Sequence, residues 1–237
     1  MQRAASLLFI LGLVIMLMAI YQQMQLNPAA GHVGMLVNQV SVDEVGAANL
    51  VTSVVLAYRG FDTLVELTIL FTAAMAAALV LEGGAGKTFT RPSGFILRAG
   101  AEFIFPLLLV VGLYIVLHGH LTPGGGFQGG VILATAFFVP ILARPGAPLD
   151  HRVAAMIEGL SGAMFIIIGL LAMVDGEAFL TPLLGKGTLG SLLSAGSLPL
   201  LYIAVGLKVG AELAGLLANL ALFDTVEPQS GAGQAES

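Results

Sequence analysis

Six largely apolar runs, about Ala4–Tyr21, Phe61–Leu81, Gly100–Leu117, Phe127–Ala143, Val153–Val174 and Leu198–Leu222, alternate with short polar or Gly/Pro-rich stretches. Each meets or comes close to the roughly 17–25 apolar residues that a helix needs to cross a bilayer. The pattern predicts an all-α integral membrane protein with about six transmembrane helices. Glu82-Gly83-Gly84-Ala85-Gly86 and Arg144-Pro145-Gly146-Ala147-Pro148 mark turns between runs, and the tail 225–237 is expected to be disordered. Val45–Tyr58 is apolar but too short to be a span of its own. A signal peptide is the competing reading of the first run. No small-residue cleavage site follows before Gln22-Gln23, so retention is expected.

Composition agrees with membrane insertion. Hydrophobic residues make up 57% and charged residues 10%, against roughly 25% charged in a soluble domain; the mean hydropathy is +0.98. Cysteine is absent, which excludes disulfides and thiolate metal sites, and the four histidines show no zinc-ligand spacing. No cofactor and no metal are expected. The net charge of −5 without a basic cluster excludes a nucleic-acid partner. No cofactor motif or nucleophile–base pair is present, so catalysis by this chain alone is not expected. Membership of an enzyme complex stays open.

Loop charge sets the expected orientation, because cytoplasmic loops carry the excess of Lys and Arg. With the amino terminus inside, the inner segments hold Arg3, Lys87, Arg91, Arg98, Arg144 and Arg152, and the outer ones hold Arg59 and Lys186. Six crossings return the carboxyl terminus to the cytoplasm, and the loop after the third run lies outside.

That loop, His118-Gly119-His120-Leu121-Thr122-Pro123-Gly124-Gly125-Gly126-Phe127-Gln128-Gly129-Gly130, has seven Gly or Pro among its thirteen residues. Irregular backbone is tolerated beside lipid only at an interface or under cover of other protein. A phosphate loop would need a Lys-Ser/Thr pair after the last Gly, and Phe127-Gln128 stands there instead. Gly124, Gly125 and Gly126 are read as a sharp turn, and Gly129 and Gly130 as points of close helix approach. His118 and His120 suit either a proton relay or bonds to loop carbonyls, and the second reading is preferred.

Ionisable groups inside spans cost about 2.5–3.5 kcal/mol each on insertion scales and are usually kept for pairing or function. They are Glu66, Glu102, Glu158, Lys208 and Glu212. Lys208 and Glu212 are four apart and share a helical face, as a register-fixing pair or as part of an ion path. Glu102 and Glu158 lie near helix starts, where a long side chain reaches interfacial water. Asp62 is expected to cap the second span and Arg59 to pair with it, with Glu66 one turn deeper.

Gly119-His120-Leu121-Thr122-Pro123-Gly124-Gly125-Gly126-Phe127-Gln128-Gly129-Gly130 closely resembles the hallmark loop of the B subunit of Mrp-type cation/proton antiporters, the MnhB family. Ser194–Leu213 resembles that family's last span, so the likeness covers about Ser93–Phe223. Val51–Thr68, with Arg59-Gly60-Phe61-Asp62-Thr63-Leu64-Val65-Glu66, resembles a segment near the carboxyl end of the large Mrp A subunit, which is a separate small subunit in membrane-bound hydrogenase complexes. Val65 stands where that pattern has Gly. The resemblance implies a two-span module over 1–92 fused to a four-span MnhB-like domain over 93–224.

It also implies a membrane subunit of a multi-subunit Na+/H+ antiporter, or of an antiporter-like module of a respiratory complex, in a prokaryotic cell membrane. The implied partners are the other membrane subunits and the lipid bilayer, with Na+ and H+ as transported ions. Candidates for the ion or proton path are Glu66, Lys208, Glu212, His118, His120, Asp62 and Glu158. Gly119, Pro123, Gly124, Gly125, Gly126, Gly129, Gly130 and Arg59 are structural candidates. The alternative is a membrane anchor of a hydrogenase-type redox complex.

Overall fold

The computed structural model describes residues 2–26, 30–82, 94–144, 150–174 and 177–223. They form α1 (Gln2–Leu26), α2 (Ala30–Val45), α3 (Leu50–Thr52) running on as a π-helix (Ser53–Tyr58), α4 (Gly60–Glu82), α5 (Phe95–Leu117), α6 (Gly126–Ala143), α7 (His151–Val174) and α8 (Leu198–Phe223), with no strand among the described residues. Two compact units result, Met1–Ser41 and Val42–Ser237. The first contains α1 and most of α2, and the second contains the remaining helices. The tail 225–237, the turns at 83–86 and 145–148, and Lys87 and Arg91 of the orientation argument lie outside the described residues.

Five helices are long and apolar enough to cross a membrane: Gly60–Leu81, Phe95–Leu117, Gly126–Ala143, His151–Val174 and Leu198–Ala221. They coincide with the second to sixth predicted runs. The first run falls in α1, whose apolar stretch Ile10–Gln23 is shorter than those five. The segment before α4 holds more order than its sequence suggests. Its backbone turns at Gly46 (φ +76°) into α3 and the π-helix, and the helices on either side of that turn give a sixth crossing if they act as one broken span. The polar residues His32, Asn38, Gln39, Asp43 and Glu44 hide α2 from a hydropathy reading.

The hub of the second unit is α8, which packs against α4, α5, α6 and α7. Over its span window 56% is buried, against 11% for α4. Small residues permit this closeness. A Cβ on Gly129 would stand 2.9 Å from Gly112 O on α5, and one on Gly130 would stand 2.9 Å from Gly206 O on α8, so the two glycines seat α6 between both neighbours. Leu56, Leu67, Phe165, Leu201, Val205 and Val209 form the apolar core around this hub.

The α5–α6 loop, the segment 177–197 and the start of α3 meet at one end of the bundle, through bonds from Asn49 to the loop and from His120 to Ser191. At the other end Arg144, after α6, pairs with Glu102 of α5.

Candidate functional site

The Gly-rich loop is covered by this chain itself. Asn49 Nδ2 donates to Gly119 O (2.7 Å) and Thr122 O (2.9 Å), and Asn49 N donates to His120 O (3.0 Å). The buried Thr52 hydroxyl donates to Gly119 O at 2.8 Å and lies 2.7 Å from Tyr202 Oη. Because the single hydroxyl proton of Thr52 goes to Gly119, Tyr202 is the donor in the second bond. Three loop carbonyls are thereby satisfied without water, as irregular backbone at membrane depth requires. Gly124 (φ +152°) and Gly125 (φ +141°) occupy left-handed backbone that side chains resist. A Cβ on Gly119 would lie 2.8 Å from Gly125 Cα, and one on Gly126 would lie 2.6 Å from Val205 Cβ. Pro123 is exposed between them.

Both loop histidines bond backbone carbonyls. His118 Nδ1 lies 3.0 Å from Tyr114 O, and its ring stacks on Tyr114 at 4.2 Å. His120 is fully buried, with Nε2 3.4 Å from Ser191 O and no partner at Nδ1. Burial holds its pKa below the ordinary 6.5, and the Ser191 carbonyl only partly offsets this.

The π-helix delivers the chain to α4. Arg59 N bonds Val54 O, five residues back, at 2.8 Å, and Thr63 Oγ1 donates to Val55 O at 2.6 Å. Such one-turn π segments recur at functional sites. Asp62 lies in the first turn of α4, which begins at Gly60. Its carboxylate meets Arg59 at 2.5 Å, the pair expected from the sequence, both side chains being exposed. Glu66 follows one turn further on and is exposed within the second unit, among the described residues.

Lys208 and Glu212 pair at 3.0 Å, as their spacing predicts. The structure adds a third member from another helix. Glu158 of α7 lies 3.6 Å from Lys208 Nζ instead of only reaching for the interface. Gly162, one turn beyond Glu158, leaves room for the lysine stem, with its would-be Cβ 3.7 Å from Lys208 Cδ. The ammonium also stands 5.1 Å from the Phe71 ring centre, within range of a cation–π attraction.

Two cavities flank this group along α4 and α8. One of about 280 Å³ at the loop end is lined by Val55, Thr63, Glu66, Gln128, Tyr202 and Val205. The other, about 180 Å³, is lined by Phe71, Met75, His151, Glu158, Glu212 and Asn219. Between them in helix register lie Leu67, Leu70 and Val209 of the packed core. Glu66 thus borders one cavity, and Glu158 and Glu212 the other.

Asn49, Thr52, Gln128, Tyr202 and Asn219 were not singled out by sequence. Tyr202 in an apolar span was the one available signal, since a buried phenol usually finds a partner.

A family model described as a domain related to the MnhB subunit of Na+/H+ antiporter matches residues 96–215. Uncharacterized protein MJ1307 of Methanocaldococcus jannaschii is 32% identical over 225 residues, covering 81% of this chain and 80% of its own. Putative antiporter subunit mnhB2 of Staphylococcus haemolyticus is 32% identical over 102 residues, covering 38% of this chain and 72% of its own. Among solved structures, a chain of the membrane-bound sulfane sulfur reductase (MBS), an archaeal respiratory membrane complex, matches with a TM-score of 0.72 and 39% identity over 79% of this chain and 84% of that one. A chain of the Mrp complex from Dietzia sp. DQ12-45-1b matches with a TM-score of 0.66 and 22% identity, covering 86% of this chain and 23% of that one, a likeness of fold alone. The protein is a multi-pass membrane protein that belongs to the family of domains related to the MnhB subunit of Na+/H+ antiporters.

Proposed function

We propose that this chain is a membrane subunit of a multi-subunit Na+/H+ antiporter, or of an antiporter-like module of a respiratory complex, and that its α4–α8 seam carries part of the ion path. The observation behind this reading is the run of ionisable groups along the seam. Glu66 borders the loop-end cavity, Lys208 lies beside the short apolar plug, and Glu158 and Glu212 border the second cavity. Asp62 and Arg59 form the entrance to Glu66. His118 and His120 secure the loop instead of relaying protons, which their carbonyl bonds support.

Glu66 also argues for partners. A carboxylate exposed at membrane depth is costly beside lipid, which favours cover of this face of α4 by a further helix, in this reading one from a neighbouring subunit. We place the complex in a prokaryotic cell membrane with the loop end outside. Arg98, Arg144 and Arg152, at the opposite end, then follow the positive-inside rule. Residues 1–92 and 93–224 are two formerly separate modules in this reading.

The test is Glu66→Gln in the assembled complex. Sodium/proton exchange in membrane vesicles is expected to fall while the complex stays intact on native gels; unchanged exchange removes Glu66 from the path. The likeness to a chain of a respiratory complex favours one second reading, an anchor within a redox enzyme. Copurification identifies the type of complex, an iron–sulfur or nickel companion marking a redox one, and within such a complex sodium/proton exchange unaffected by Glu66→Gln favours the anchor.

A further inference from the structure

We infer that the cavity between α4, α7 and α8 is a binding site for one monovalent hard cation, Na+ in size and charge, held by Glu158 and Glu212 with Lys208 as a tethered rival. Glu212 Oε2 takes the lysine, but Oε1 is buried without a partner, in a side chain only 2% exposed. A buried carboxylate oxygen left unbonded is expensive unless something positive or hydrogen-bonding occupies the space before it. Glu212 also lines a cavity of about 180 Å³, large enough for an ion and a few waters at about 30 Å³ each.

Charge selects the occupant. Two carboxylates against one ammonium leave one negative charge in excess. One monovalent cation neutralises the group, whereas a divalent ion would leave a positive charge in a poorly solvated site. The available donors, the carboxylates of Glu158 and Glu212 and the amide oxygen of Asn219, are oxygens suited to hard cations. His151 and Asn219 lie at the end of the cavity away from the Gly-rich loop, so the ion enters from that side. The inference rests on the proposed seam path only for the use of the ion, since the site itself is defined by Glu158, Glu212 and Lys208.

The test uses the purified intact complex with radioactive Na+ at constant ionic strength, choline replacing Na+. Glu212→Gln is expected to remove one saturable Na+ site per copy of this chain. Glu158→Gln, at a partly exposed position, is expected to weaken that site by about tenfold, the loss of roughly 1.4 kcal/mol, and it carries the test if Glu212→Gln disperses the complex. Lys208→Met doubles the excess negative charge and is expected to create binding of radioactive Ca2+ that the wild type lacks. Equal Na+ stoichiometry and affinity in wild type, Glu212→Gln and Glu158→Gln would overturn the inference, as would proton uptake at this site without Na+ binding. Glu66→Gln is expected to keep the Na+ site while exchange falls. If exchange in Glu66→Gln is unchanged and Glu158→Gln still weakens Na+ binding, the path fails and the site stands.

Discussion

Lys208 Nζ and Glu212 Oε2 lie 3.0 Å apart, one turn along α8, and both residues are buried. Removing one partner of a buried pair strands the other charge and costs about 3–5 kcal/mol. Lys208→Met is therefore expected to lower the thermal midpoint of the assembled complex. Lys208→Met with Glu212→Gln together should recover most of the loss. A double-mutant cycle measures this, and additive losses would show that the two groups are not coupled.

The sequence made this pair legible because both members sit on one helix at a spacing that fixes their face. Glu158 was legible only as an ionisable residue in a span. Its approach to Lys208 depends on how α7 packs on α8 at Gly162, a contact between helices that no local spacing records. The same divide runs through the fold. Apolar length alone located α4 to α8, whereas the bend at Gly46 and the π-helix before Arg59 flank Asn49 and Thr52, which bond a loop about 70 residues away. The Gly-rich loop was legible as a segment needing cover, but what covers it was not.

That cover gives a graded prediction. Tyr202→Phe removes one bond to Thr52 and leaves the Thr52 bond to Gly119, so a loss of about 0.5–1.5 kcal/mol is expected. Asn49→Ala removes two bonds to loop carbonyls at once, to Gly119 O and Thr122 O, and should cost more. Unfolding of the purified complex followed by both variants ranks them, and an equal loss would contradict the assigned anchoring.

Gly129 tests the packing of α6. A Cβ there would stand 2.4 Å from Val116 Cγ2 and 2.9 Å from Gly112 O. The backbone oxygen cannot move aside cheaply, and overpacking of this kind typically costs about 1–3 kcal/mol. Gly129→Leu is expected to reduce assembled complex on native gels, with Gly159→Ala, where a Cβ meets nothing within 4 Å, as the unaffected control.

His120 sets a pH dependence. Its pKa in the folded chain is below 6.5, chiefly because of burial, with the Ser191 carbonyl opposing and nearby His118 reinforcing the shift. The unfolded chain therefore binds more protons as the pH falls below about 6.5, so His120 favours folding above that pH and progressively less below it. His120→Asn is expected to flatten the acid-side decline of the thermal midpoint between roughly pH 5 and 6.5. An unchanged slope would remove His120 as its source.

The absence of native cysteine allows the seam to be mapped directly, by labelling single cysteines with a membrane-impermeant thiol reagent from each side of oriented vesicles. Gln128→Cys in the loop-end cavity is expected to react only from outside and Ala78→Cys in the second cavity only from inside, with Val209→Cys in the plug unreactive from both. Failure of Gln128→Cys and Ala78→Cys to react from either side, or reaction of both from the same side, would contradict an ion path along α4 and α8.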